Sequence, residues 1–321
     1  MSHITDPYHF LQIHLNPDGT ITRLREDPRA SPSSSDPTLP VLSKDLTINQ
    51  SHNTFARIYL PRKALDHSPS KRLPLIVFFH GGGFIFFSAA SVLCQETCSR
   101  MANDVGSIVV SIEYRLAPEH LLPAAYDDAV EALHWIKTQP DDWLSQHADY
   151  SACYLMGSSA GANIAYRAGI REAAGGLDRL RPLTIRGLIL VQPFFGGTTR
   201  CGSERRLEND AVLPPAACDV MWELALPVGV DRDHEYCNPT GGKGDGRLER
   251  VGRLGWRVLV TGCSGDPLVD RQVEVAKMMK ERGVEVVGHF TEGDSHGIQD
   301  RDVLKAKELY GVVREFWASE A

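Results

Sequence analysis

The feature that most constrains this chain is a five-residue turn, Gly157-Ser158-Ser159-Ala160-Gly161, set between two regular elements. The apolar run Cys153-Tyr154-Leu155-Met156 before it reads as a buried strand. Ala160 to about Ala174 carries an apolar stripe at helical spacing and reads as a helix. A strand that turns into a helix this tightly forces its central residue, Ser159, into a strained backbone conformation. Glycines on both sides keep side chains out of the gap between strand and helix. Ser159 is therefore expected at the carboxyl edge of a sheet. The Ala160 amide is expected at a helix N-terminus, where unpaired N–H groups favour negative charge.

The rest of the chain repeats the strand-then-helix pattern. Leu75–Phe79, Ser107–Ile112, Ile185–Val191 and Trp256–Thr261 are apolar runs without polar alternation, as strands buried on both faces require. Helical stretches are expected at 92–103, 123–138, 268–282 and 302–317, and a sixth strand at 284–291. The alternation predicts an α/β fold with a mostly parallel central sheet and helices on both faces. Thr47-Ile48 and Thr54–Leu60 predict a hairpin, with polar connections at 64–72 and 241–246. Residues 1–321 are read as one domain. The N-terminal segment, about 1–45, Ser/Pro-rich at 30–40, and the insertion at 195–250 after the strand at 185–191, with a helix-like piece at 216–225, are expected to form a cap.

Three residues stand just past strand ends, in the order Ser159, Asp266, His296. A serine hydroxyl is a weak nucleophile near neutral pH, so a neutral imidazole must take its proton. A carboxylate fixes the imidazole tautomer and stabilises the imidazolium that forms. Asp270 competes for the acid position, but Asp266 lies nearer its strand end. His289 and His234 are the weaker rivals of His296: one lies inside a strand, the other in the insertion. His80-Gly81-Gly82-Gly83 follows a strand directly. Without Cβ atoms its backbone can bring successive N–H groups close to a ligand. Gly81, Gly82, Gly83 and Ala160 are the expected oxyanion hole, and Phe84, Phe86, Ser158, Phe194, Phe195, Trp222 and Leu226 the candidate pocket wall.

Composition narrows the remaining classes. A net charge of −7 with no Lys/Arg run excludes the basic face that nucleic-acid binding needs. No apolar window of about 18 residues predicts a membrane span. The start, Met1–Pro7, lacks a basic and apolar leader pattern, so a cytoplasmic protein is expected. The seven cysteines are scattered, and Cys94 and Cys98, one helical turn apart, have no second pair to complete a metal site. They are read as reduced thiols, with no metal or cofactor expected and a monomer or weak homodimer as the assembly.

Together, His80-Gly81-Gly82-Gly83-Phe84, Tyr114–Glu119, Pro123–Asp128, Asp266–Asp270 and Gly293-x-x-His296 resemble the hormone-sensitive-lipase-like branch of the α/β-hydrolases. Asn16–Arg23, Val41–Asp45 and Asp231–Pro239 are similar to plant carboxylesterases in particular. The resemblance covers nearly the whole chain. It implies an α/β-hydrolase fold and a serine carboxylesterase that cleaves small, fairly apolar esters through an acyl-enzyme. Ser159 is then the nucleophile, Asp266 the acid and His296 the base. Two positions depart from the branch: Ser158 stands where an acidic residue is usual, and Ala162 where glycine is usual. Since a scaffold does not fix a reaction, a lyase, cyclase or dehydratase on the same groups is the second reading. A hormone receptor without catalysis is third, because relatives of that kind lack the base that His296 supplies here.

Overall fold

The computed structural model describes residues 6–318 apart from 35, 37, 67–71, 139–140 and 243–245. The connections expected at 64–72 and 241–246 fall partly outside the described residues. Ten strands form among the described residues: β1 (Ile13–Leu15), β2 (Ile21–Arg23), β3 (Val41–Asn49), β4 (Thr54–Pro61), β5 (Leu73–Phe79), β6 (Ile108–Ile112), β7 (Ala148–Ser158), β8 (Ile185–Val191), β9 (Arg257–Cys263) and β10 (Glu285–Thr291). β1 and β2 make a small antiparallel ribbon. The other eight form one sheet in the order β10-β9-β8-β7-β5-β6-β4-β3. The six strands from β10 to β6 pair in parallel, and the β3–β4 hairpin joins that edge antiparallel. β5 and β6 are buried almost throughout, which is why they read as continuous apolar runs.

The helices are α1 (Pro7–Leu11), α2 (Lys63–Asp66), α3 (Val92–Met101), α4 (Ala124–Ile136), α5 (Asp142–His147), α6 (Ala160–Gly175), α7 (Gly202–Arg206), α8 (Pro215–Ala225), α9 (Arg247–Arg253), α10 (Val269–Glu281), α11 (Ile298–Arg301) and α12 (Val303–Ala318). They cover both faces of the sheet over two apolar cores. One core holds α4, α6 and α8 residues such as Leu133, Ile164 and Trp222. The other lies under α3 and α12, around Met101, Tyr310 and Phe316. None of the described helices is long and apolar enough to cross a membrane. Val41–Asp45, expected in the N-terminal cap segment, instead pair with Arg57–Pro61 as the first half of edge strand β3. The motif reading missed this because the run mixes Ser, Lys and Asp with its apolar residues, as an edge strand tolerates.

The elbow at Ser159 is the tightest point of the fold. β7 pairs with β5 through Gly157–Phe79 and with β8 through Ser158–Val191, so it is locked on both sides up to the turn. A Cβ on Gly157 would overlap the Gly161 carbonyl, and one on Gly161 would overlap the carbonyls of Phe79 and His80. Both glycines are therefore required by close backbone approach. Gly161→Ala is expected to cost about 1–3 kcal/mol through overpacking, read as a lower melting temperature. Gly311→Ala is the control: its Cβ on α12 would meet nothing, and the change should be neutral or stabilising by up to about 1 kcal/mol. Equal melting temperatures for wild type and Gly161→Ala would contradict the packing account.

Candidate active site

Ser159 sits between β7 and α6 with φ 56° and ψ −118°, a conformation that side chains rarely adopt. It is held on both sides, because the Ser159 amide donates to the Val191 carbonyl at 2.9 Å and the Phe194 amide donates to the Ser159 carbonyl at 3.0 Å. Asn163, one turn along α6, donates to the Phe194 and Tyr236 carbonyls and accepts from the Tyr126 hydroxyl. The strained turn is thereby tied to the segment that follows β8.

The side chains of Ser159, Asp266 and His296 meet over the carboxyl ends of β7, β9 and β10. His296 Nε2 lies 2.9 Å from Ser159 Oγ, and Nδ1 lies 2.8 Å from Asp266 Oδ2. A carboxylate only accepts, so Nδ1–H donates to Asp266 and Nε2 is free to accept from the serine hydroxyl. Asp266 is fully buried, and its carboxylate also accepts from the Leu268 amide at 2.9 Å and Gln272 Nε2 at 2.8 Å. The rival acid is engaged elsewhere: Asp270 accepts from the Ser203 amide at 2.7 Å. His289 lies within β10, and His234 packs against Tyr236, with ring centroids 4.5 Å apart.

The glycine loop lies alongside. Gly82 and Gly83 have φ of 108° and 61°, the left-handed region that glycine enters without cost. Among the described residues, the amides of Gly82, Gly83 and Ala160 donate to no protein acceptor. His80 braces the loop from beneath. Its ring stacks on Tyr114 at 4.3 Å, its Nδ1 lies 2.8 Å from the Gly81 carbonyl, and the Tyr114 hydroxyl donates to the His80 carbonyl. Burial pulls its imidazole down to about 4, against the opposing hydrogen bond to Gly81. His80 therefore stays neutral where a general base would work.

A cavity of about 680 Å³ opens over Ser159 and His296. Of the expected wall residues, Phe86 and Ser158 line it, together with Gly81, Gly82 and Gly83. Phe84, Phe194, Phe195, Trp222 and Leu226 do not. They are buried in the core behind it, where Phe194 and Trp222 stack at 4.8 Å with Phe84 tilted against both. Four of the five lie in irregular segments, where no periodicity shows which side a residue faces, and Trp222 is on the core side of α8. The wall is built instead by Phe10 and Leu11 from α1, Leu213, Met221 from α8, and Phe87. Met221 packs so closely on the loop that a Cβ on Gly83 would overlap its sulfur.

Three glutamines support the site and were not legible in the sequence. Gln192 accepts from the Gly297 amide at 2.7 Å and donates to the Ser295 carbonyl, fixing the loop that carries His296. Its place just past β8 was the available signal. Gln272 holds Asp266, and Gln299 Nε2 donates to Ser158 Oγ at 3.1 Å. The expected departure at Ser158 thus has a partner, a neutral amide rather than a charge. One group of possible metal ligands exists among the described residues, His52, Asp128 and Glu131. Both Asp128 oxygens already accept from Arg115, and the group shares no residue with the catalytic cavity.

The arrangement can pass a proton from Ser159 Oγ to His296 and offer three amides to a negative oxygen. Comparison with known proteins agrees with that chemistry. A family model described as the alpha/beta hydrolase fold matches residues 76–300. The chain is 52% identical to Carboxylesterase 20 of Arabidopsis thaliana, over 98% of this chain and 97% of that protein. It is 41% identical to the 3-O-acetylpapaveroxine carboxylesterase CXE2 of Papaver somniferum, over 98% of this chain and 100% of that one. A solved hyperthermophilic esterase from Pyrobaculum calidifontis superposes with a TM-score of 0.71 at 26% identity, covering 85% of each chain.

His80 sets an acid limit on stability. The unfolded chain takes a proton near the ordinary 6.5, while the folded protein keeps His80 neutral down to about 4. Between those values the unfolded state binds more protons, so stability falls as pH drops through that window. In urea unfolding at a series of pH values, His80→Asn should flatten this part of the profile. An unchanged slope would show that His80 is not its source.

Proposed function

The chain belongs to the α/β-hydrolase family, in its plant carboxylesterase branch, and on that premise we propose how its residues divide the work. Ser159 attacks the ester carbonyl, and His296 takes the hydroxyl proton as the tetrahedral intermediate forms. Asp266 holds the imidazole in the required tautomer and stabilises the imidazolium. The amides of Gly82, Gly83 and Ala160 receive the oxyanion, with Gly81 shaping the turn; one such donor is typically worth about 3–4 kcal/mol of barrier. His296 then protonates the leaving alcohol, leaving an acyl group on Ser159. Water, activated by the same imidazole, releases the acid and restores the enzyme. The observation that carries this reading is the relay of 2.9 Å and 2.8 Å through His296, beside three unused amides.

The cavity walls favour small, fairly apolar esters. Phe10, Leu11, Phe87, Leu213 and Met221 offer apolar surface. We further propose that α1 with the β1–β2 ribbon and the stretch from about 195 to 250 act as the cap. α1 packs on α8, and both contribute to the wall. Arg23 of β2 clasps the segment to the body, donating to the Ile85 and Ala117 carbonyls and pairing with both oxygens of Glu119 at 2.8 Å.

Ser159→Ala is expected to lower kcat/KM on p-nitrophenyl acetate by about 10⁴-fold or more, with the melting temperature little changed. Retention of more than about a tenth of the activity would contradict an acyl-enzyme on Ser159 and favour chemistry driven by His296 alone.

A further inference from the structure

One arm of the cavity is not explained by the triad. Its lining includes Leu93, Cys94 and Thr97 of α3 and Asp300 of α11, two helices joined where Thr97 meets Asp300. Asp300 is the one carboxylate lining the cavity among its described residues. Its hydrogen bonds are long: Oδ1 accepts from Thr97 Oγ1 at 3.3 Å and Oδ2 from Gln299 Nε2 at 3.5 Å. No described Lys, Arg or His pairs with it at salt-bridge distance, although Arg100, Arg301 and His296 are near enough to act on its charge. A carboxylate offers about four acceptor positions. Leaving them weakly used at a half-buried position is costly unless a ligand supplies a donor. Burial accordingly raises the Asp300 carboxyl above its ordinary range. The Gln299 amide that reaches Asp300 also holds Ser158 beside the nucleophile, so the arm is continuous with the reacting centre.

We propose that Asp300, positioned by Thr97, is a specificity-determining acceptor that selects esters carrying an O–H or N–H donor on the part entering between α3 and α11. The proposal rests on the esterase reading above. The donor completes the hydrogen bonding of Asp300, while Leu93 and Cys94 pack on the carbon skeleton beside it. An ester that is apolar throughout leaves the acceptor desolvated and unpaired, and loses affinity in the transition state as well as the ground state.

The test compares matched esters with the same enzyme. One series varies the acid part: p-nitrophenyl butyrate, its 3-hydroxy and its 3-amino analogues. The other varies the alcohol part: benzyl acetate and its hydroxymethyl and aminomethyl analogues. Wild type should prefer the donor-bearing member of one series by about tenfold or more in kcat/KM. Asp300→Leu should abolish or reverse that preference, and Thr97→Val should reduce it severalfold. Each ratio is taken within one protein, so a loss of active fraction cancels, and Thr97→Val carries the test if Asp300→Leu does not fold. No preference in either series, or a preference that survives both substitutions, overturns the subsite. Failure of wild type on p-nitrophenyl butyrate and benzyl acetate themselves would overturn the esterase reading, a different result. Preference for the hydroxyl or the amine tells which donor the site takes.

Discussion

The backbone of Ser159 is the constraint on which the rest of the structure depends. Its dihedrals cost of order 1–3 kcal/mol and persist only where the surroundings over-determine them. Here they are over-determined from three directions. β5 and β8 pin β7 up to the turn, Gly157 and Gly161 let strand and helix touch, and the Ser159 amide and carbonyl are both bonded to the segment running from Val191 to Phe194. The strain aims the hydroxyl out of the sheet and leaves the Ala160 amide unpaired at the start of α6. The same backbone geometry thus presents both an attacking oxygen and part of the site for the charge it creates.

That geometry needs protection from water and from drift. The glycine loop is held through its carbonyls rather than its amides: the Gly82 carbonyl accepts from the Ile85 and Phe86 amides. It is flanked by His80, which stacks on Tyr114, and by Met221, which packs against Gly83. The histidine loop is fixed by Gln192 and by Arg301, which donates to the His296 carbonyl. Neutral and buried supports predominate around the relay, so the Asp266–His296 pair carries the main charge chemistry of the reacting centre. Asp300 stands apart from that pair, as the carboxyl that lines the cavity itself.

Much of this was legible in the sequence because strand ends are local patterns. Ser159 and the glycine run closely follow apolar runs, Asp266 and His296 lie a few residues past β9 and β10, and a parallel sheet brings its carboxyl ends to one edge. The family resemblance then fixed the division of roles among them. What escaped had no local signature. Phe84, Phe194, Phe195 and Leu226 are apolar residues in irregular segments, where nothing in the spacing tells core from cavity, and Trp222 lies on α8, a helix that gives Met221 to the cavity and Trp222 to the core. Gln192, Gln272 and Gln299 act through single hydrogen bonds, which any surface glutamine could also make. Asp300 lies four positions past His296, yet its place in the cavity follows from the short helix α11 and its meeting with Thr97 of α3. Val41–Asp45 carry the charge that an edge strand tolerates, so their place in the sheet has no clear signature in the sequence.

The central claim is that the strained Ser159 is a nucleophile made reactive by His296. Labelling with a fluorophosphonate, followed by mass spectrometry of the digested protein, tests it most directly. The expected result is one adduct per chain on the peptide containing Ser159, with labelling abolished or slowed by several orders of magnitude in His296→Ala. An adduct at another residue, or equal labelling rates in wild type and His296→Ala, would contradict the account.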